Sequence, residues 1–310
     1  MRYKEIIQKG QKKITQFSGI KRELPSLDSL WNLKKIITIL GGRKVGKTYS
    51  LLQQIQEAIN TQKCTLEEVI FIDFSELDYR NINIDDLHSY VGSLGIEHPV
   101  YCFDEIQEVK DFDRQLISLY NQGCTLFITG SNSKMLSADI ATILRGKTYE
   151  IRQTPLSFQE FLRFKNYETL PNDLILDQLF DEFVYRGGYP EVVLTPDERV
   201  KKGLLQGYLD LLIFKDLVDR YNIRNQALLQ SFIRSLVLGH TKELNIHKLF
   251  NTYKSQGIEV GKNTLYEYLE NLKHTFIIST LGQFYRKAQF EKVYLIDTGL
   301  LHCFTDNPSR

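Results

Sequence analysis

Gly41-Gly-Arg-Lys-Val-Gly46-Lys47-Thr48 has the spacing G-x-x-x-x-G-K-T, which is a cradle for phosphate. Glycines let the backbone wrap the phosphates and a following helix presents free N–H groups to them. Lys47 reaches the β and γ phosphates, and the Thr48 hydroxyl is a magnesium ligand. Gly41, Gly42, Arg43, Lys44, Val45, Gly46, Lys47, Thr48 and Tyr49 are accordingly the expected contacts for ATP. In the empty loop Lys47 is expected to be exposed. Fifty-six residues past Thr48, the apolar run Val100-Tyr-Cys-Phe ends in Asp104-Glu105. Asp104 is expected to hold the water shell of Mg2+ beside Thr48, and Glu105 to polarise a water for attack on the γ phosphate. A further apolar run ends in Thr129-Gly-Ser131-Asn132. If its strand is adjacent to the other two, Ser131 or Asn132 comes within reach of the γ phosphate or the attacking water. The same two residue types also cap helices, here one running from Ser133 to Leu144.

Those residues need strand ends to carry them. Lys35–Leu40 reads as a strand, followed by the glycine turn and a helix over Lys47–Asn60 with Leu51, Leu52, Ile55 and Ile59 on one face. Val69–Phe74, Val100–Phe103 and Thr125–Thr129 are further strands, separated by helices at Asp85–Leu94 and Asp113–Tyr120. Near-continuous apolar strands alternating with helices require a parallel sheet covered on both faces, so the fold class is α/β, with a P-loop ATPase core over 1–155. After Pro155 the texture becomes helical: Phe158–Phe164, Leu174–Tyr185, Gly203–Asp219 and Gln226–Leu238. Residues 156–225 are expected to form a helical lid. From Asn245 the order is a helix over Ile246–Tyr253, a turn at Gly257, a helix over Lys262–Lys273 and two β-rich runs, Phe276–Phe284 and Lys292–Ile296. That order predicts a winged-helix-like domain over 226–310.

Composition limits the partners. The 310 residues carry 39 Lys and Arg against 38 Asp and Glu, so no global field draws the chain to nucleic acid or anionic lipid. Residues 226–310 hold ten Lys and Arg against seven Asp and Glu, a weak balance for DNA, and the helix from Lys262 contains two acids. Lys262, Asn263 and Tyr266 near its start are the residues that can reach a groove, while Leu265, Leu269 and Leu272 have core spacing. Cys64, Cys102, Cys124 and Cys303 lie far apart with no C-x-x-C pair, and the six histidines show no metal spacing. No apolar run approaches the roughly 18 residues of a membrane span, and the start lacks the apolar stretch of a signal peptide. A cytoplasmic protein without membrane contact is expected.

The combination of the phosphate loop with FDEIQ, FITGSNSKML, LRGK, Thr154-Pro-Leu-Ser-Phe-Gln-Glu-Phe161 and Arg186-Gly-Gly-Tyr-Pro-Glu191 resembles, in order and spacing, a bacterial and archaeal family. These are the AAA-type P-loop ATPases with a DUF4143 C-terminal region (AAA_14-like), and the resemblance runs from Arg22 to Gly299. It implies an ATPase core of the additional-strand, catalytic-glutamate type using ATP and Mg2+, a helical lid and a winged helix. It also makes Leu144-Arg145-Gly146-Lys147 a candidate source of a cation acting on the γ phosphate, in cis or from a neighbouring subunit of a homo-oligomer. Lys147 stands where arginine is typical and lacks the bidentate fork, which leaves Arg145 for the role. Gly187-Gly188-Tyr189-Pro190 looks like the lid motif of related signalling ATPases, whose proline packs near adenine. Family members continue past Lys292–Leu300 into a nuclease-like domain, before which this chain is expected to be truncated. The expected function is a magnesium-dependent ATPase acting as a nucleotide-driven switch on a protein partner, with a nucleotide-gated DNA-binding module of little or no hydrolysis as the alternative.

Overall fold

The computed structural model describes residues 2–131, 144, 146–282 and 291–305. It divides into two compact units, one formed by Met1–Gly41 and Gly46–Gln153, the other by Gly42–Val45 and Thr154–Arg310.

In the first unit β1 (Ile36–Leu40), β2 (Val69–Asp73), β3 (Val100–Asp104), β4 (Thr125–Gly130) and β5 (Thr148–Arg152) form one sheet in the order β2-β3-β4-β1-β5. All four pairings are parallel. Every residue of β1 and β3 is buried, as expected of apolar strands covered on both faces. The helices α3 (Lys47–Asn60), α4 (Ile84–Ser93) and α5 (Phe112–Asn121) lie where the apolar periodicity predicts them. On α3, Leu51, Leu52 and Ile55 enter the core with Phe71, Cys102 and Phe127. At full burial each such side chain contributes about 1.5–3 kcal/mol.

Three elements of this unit are absent from the sequence reading. β5 pairs in register with β1 from Ile36↔Thr148 to Leu40↔Arg152. Only Ile151 along it is buried, so it lacks the apolar run that marks the other strands. α1 (Arg2–Thr15) buries Ile6, Ile7 and Ile14 and packs on β2. The contact point is Gly10, where a Cβ would stand 2.3 Å from the Phe71 carbonyl oxygen. α2 (Leu27–Asn32) starts at Ser26, whose hydroxyl accepts the Ser29 N–H. Between these helices Arg22 is 1% exposed, and its peptide N–H and C=O both bond the Gln53 amide on α3, at 2.8 and 3.0 Å.

The second unit opens with α6 (Phe158–Phe164), α7 (Asp173–Arg186), α8 (Pro190–Leu194) and α9 (Glu198–Leu211). α9 continues as a π-helical segment, Leu212–Asp219. Then come α10 (Gln226–Leu238), β6 (Glu243–Leu244), α11 (Ile246–Ser255), α12 (Lys262–His274), β7 (Ile278–Leu281), β8 (Glu291–Leu295) and α13 (Gly299–Thr305). β6, β8 and β7 form an antiparallel sheet in that order. Leu265, Leu269 and Leu272 of α12 are buried with Leu229 and Phe232 of α10, whereas Tyr266 is 53% exposed.

The Arg186–Glu191 string is held by a carboxylate 106 or more residues away. Asp297 accepts the Gly188 N–H at 2.7 Å through one oxygen and the Gly299 N–H at 2.9 Å through the other. Burial pushes its carboxyl up to about 6, against the pull of those N–H groups and that of Leu300. Gly187 sits at φ +77°, and a Cβ on it would lie 1.9 Å from the Asp297 oxygen. Only glycine fits there.

Candidate functional site

β1 delivers the chain into the glycine loop, and α3 takes it out. Lys44 and Gly46 adopt left-handed backbone at φ +63° and +96°, and Gly46 caps α3, its carbonyl accepting the Ser50 N–H at 2.9 Å. The helix N-terminus is thereby formed with its first N–H groups directed along the axis, toward an anion. Gly41 and Gly46–Tyr49 cluster with the first unit, and Gly42–Val45 with the second. Within the second unit Arg43 donates from Nε and Nη2 to the two oxygens of buried Asp216, at 2.6 and 2.9 Å, and Val45 joins the apolar core. Asp216 lies on the π-helical segment and also accepts from Arg220 at 3.2 Å. The Tyr49 side chain is engaged away from the loop, donating to the Ile20 carbonyl at 2.9 Å.

The insertion of β4 between β1 and β3 brings three strand ends together. Asp104 ends β3, Glu105 follows it, and Thr129 and Ser131 lie at the end of β4. Asp104 accepts the Thr48 hydroxyl at 2.6 Å and the Thr129 hydroxyl at 2.5 Å. The two expected magnesium ligands therefore touch. Asp104 is 2% exposed, and burial raises its carboxyl to about 6. The two hydroxyls pull it down, while neighbouring Asp73 and Glu105 push it further up. Asp73 pairs in register with Asp104 from β2, and Lys13 of α1 donates to it at 2.9 Å.

Glu105 has left-handed backbone, φ +52°, which is costly for a non-glycine residue and clusters at functional sites. Its N–H donates to Thr129 Oγ1 at 3.0 Å, so one hydroxyl fixes both acids. Glu105 Oε1 lies 3.4 Å from Lys47 Nζ. Glu105 Oε2 accepts the Ser131 N–H at 3.2 Å and the Gln107 side-chain amide.

Lys47 is 4% exposed and paired with Glu105, which corrects the expectation of an exposed lysine. A cation drawn into the sheet end needs an anion, and Glu105 supplies one at 3.4 Å. The sequence reading missed Thr129 and Gln107 as site residues. Their signal was a polar residue at an apolar strand's end and the glutamine two places after Glu105. Asn132 and Arg145 lie outside the described residues, as does the helix expected over Ser133–Leu144. Pro190 is the first residue of α8.

Hydroxyl and carboxylate are the hard oxygen donors that magnesium takes, and Thr48 Oγ1 and Asp104 Oδ2 already stand together. Among the described residues no group of three or more His, Cys, Asp and Glu is placed to hold a metal. An ion at Thr48 and Asp104 would thus be completed by water and phosphate oxygens, as magnesium commonly is.

Residues 33–162 match the AAA domain model AAA_14. The match takes in all five strands of the first unit's sheet. Residues 177–310 match a domain of unknown function, DUF8612, in place of the DUF4143 region expected there. An uncharacterized protein of Methanocaldococcus jannaschii is 35% identical over 274 residues, covering 85% of this chain and 60% of that protein. An uncharacterized protein of Haemophilus influenzae is 28% identical over 281 residues, covering 86% and 68% respectively. The chain thus spans about two thirds or less of the length of these relatives. A solved structure of Cdc6p from Pyrobaculum aerophilum aligns over 95% of this chain and 96% of its own. Its identity is 13% and its TM-score 0.34, too loose a likeness to bear on either unit. No helix among the described residues is long and apolar enough to cross a membrane.

Proposed function

We propose that the chain binds ATP with magnesium and hydrolyses it, and that the nucleotide state acts as a switch. One observation carries the reading: Lys47 and Thr48 of the phosphate loop each contact one of the two acids that end β3, Glu105 and Asp104. A lysine, a hydroxyl, a buried acid and a second acid beside it are the parts that phosphoryl transfer to water requires. Thr48 and Asp104 would hold magnesium, which would neutralise charge on the β and γ phosphates. Lys47 would bind the same phosphates, and Glu105 would take the proton of the attacking water. Ser131 fixes Glu105 through its N–H. Arg145 is the proposed cationic finger, supplied by a neighbouring copy.

We further assign residues 156–225 to a helical lid and 226–310 to a winged helix. The order helix, strand, helix, helix, strand, strand from α10 to β8 supports the second assignment. The test is phosphate release with Mg2+ and ATP by wild type, Glu105→Gln and Asp104→Asn. The reading expects turnover in wild type alone, and a wild type that binds ATP and releases no phosphate overturns it.

A further inference from the structure

Gln107 is the residue of the site that fold stability explains least. It sits on a short 3-10 turn, Ile106–Glu108, directly after Glu105 and is only 9% exposed. Its Nε2 donates to Glu105 Oε2 and lies 3.3 Å from Ser131 Oγ. Its Oε1 is buried and accepts no hydrogen bond among the described residues. A buried acceptor left without a donor costs about 1–3 kcal/mol, and an apolar residue of the same shape would avoid that cost. Retaining an amide under those conditions indicates use of the amide.

The two oxygens of Glu105 have different partners. Oε2 is gripped twice, by Gln107 Nε2 and by the Ser131 N–H at 3.2 Å. Oε1 has Lys47 Nζ at 3.4 Å. Phosphate, an anion, competes for that lysine, whereas the Gln107 amide is neutral and already donates to Oε2.

We infer that Gln107 is a positioning residue: with the Ser131 N–H it pins Oε2, so that Oε1 is delivered to the attacking water once phosphate has taken Lys47. The Lys47–Glu105 contact keeps the base occupied until phosphate takes the lysine, so hydrolysis waits on phosphate. The inference rests on the ATPase reading above. It goes beyond that reading by giving the site a resting state and naming the side chain that holds the base through the exchange.

The experiment measures ATP affinity by calorimetry, steady-state phosphate release and thermal unfolding for wild type, Gln107→Leu and Gln107→Met. Both variants keep the volume and remove the amide. The expected result is kcat lower by about 10- to 100-fold, the scale of a reacting group displaced by about an ångström. ATP affinity and KM should stay within threefold of wild type, and the unfolding midpoint should be unchanged or higher. A folded variant with wild-type kcat overturns the inference and leaves the ATPase reading standing. Parallel loss of affinity, midpoint and kcat, or failure of both variants to fold, makes Gln107 structural and overturns it too. Absence of turnover in wild type refutes the ATPase reading itself, and the inference falls with it.

Discussion

Replacing Glu105 by glutamine should tighten ATP binding while stopping hydrolysis. The mechanistic role alone predicts unchanged affinity, and the tightening comes from the geometry. Lys47 Nζ stands 3.4 Å from Glu105 Oε1, with the two side chains 4% and 19% exposed. At an effective dielectric of about 20, a pair at that distance is worth roughly 5 kcal/mol before desolvation is deducted. Both charges have left water, so most of that is offset, and a net of about 1–2 kcal/mol is a reasonable remainder. Phosphate must displace this contact to engage Lys47. Glutamine keeps the shape and removes the charge, so the dissociation constant for Mg-ATP should fall by about 5- to 30-fold. Loss of a positioned base should at the same time lower turnover by roughly 10² to 10⁴. Calorimetric titration and phosphate release on the same preparations read both quantities. Equal or weaker binding by Glu105→Gln would show that Lys47 does not exchange partners, and equal turnover would remove Glu105 from the chemistry.

Asp104→Asn should weaken magnesium-dependent binding yet stabilise the free protein. Its folded value of about 6 lies above the unfolded 3.8, so the stability it contributes is present below about pH 4 and lost as pH rises through 6. Relief of roughly 1–3 kcal/mol should thus be seen in thermal unfolding at pH 7 and be largely gone at pH 4. Lys47→Ala should abolish ATP binding in calorimetry and also lower the midpoint, because it removes the cation that faces the Glu105 carboxylate. Gly187→Ala should destabilise the second unit by about 2–4 kcal/mol, from left-handed strain and collision with Asp297, and a midpoint equal to wild type would contradict the turn geometry. Mixing Arg145→Ala with Lys47→Ala chains should partly restore turnover that neither has alone, and specific activity should rise with protein concentration. A concentration-independent rate without complementation would place the whole site in one subunit.

Local signals made the core strands and α3 to α5 readable, because each is a run of apolar residues at a fixed period. β5 escaped, since Tyr149, Glu150 and Arg152 are exposed and the pairing with β1 is a matter of backbone register. α1 escaped because its apolar residues are few and lie among lysines, and what docks it is Gly10 against the Phe71 carbonyl. At the site, residue types announced the phosphate loop and the acid pair. Strand order did not follow from type: only the placing of β4 between β1 and β3 lets Thr129 bond Asp104 and Ser131 bond Glu105. Lys47 burial was illegible for the same reason, as its partner lies 58 residues away on another strand's end.

The two glycine-bearing strings of the second unit, Arg186–Glu191 and Lys292–Leu300, read as separate motifs, and the structure makes them one object. Asp297 ties the Gly188 N–H to the Gly299 N–H, and a Cβ on Gly299 would meet the Arg186 carbonyl at 2.3 Å. A Cβ on Gly188 would lie 2.4 Å from the Leu156 carbonyl oxygen, whose own residue donates its N–H to the Gly188 carbonyl at 2.7 Å. Three chain segments thus approach within backbone distance around one buried acid, and only glycine leaves room for them. The composition of Gly187-Gly188-Tyr189-Pro190 therefore has a full explanation in packing: glycines for the crossing, buried Tyr189 for the core, and Pro190 for the first turn of α8. An adenine contact by Pro190 is not needed to account for those letters, so affinity for ATP relative to GTP in Pro190→Ala, and not the motif itself, is what decides that role.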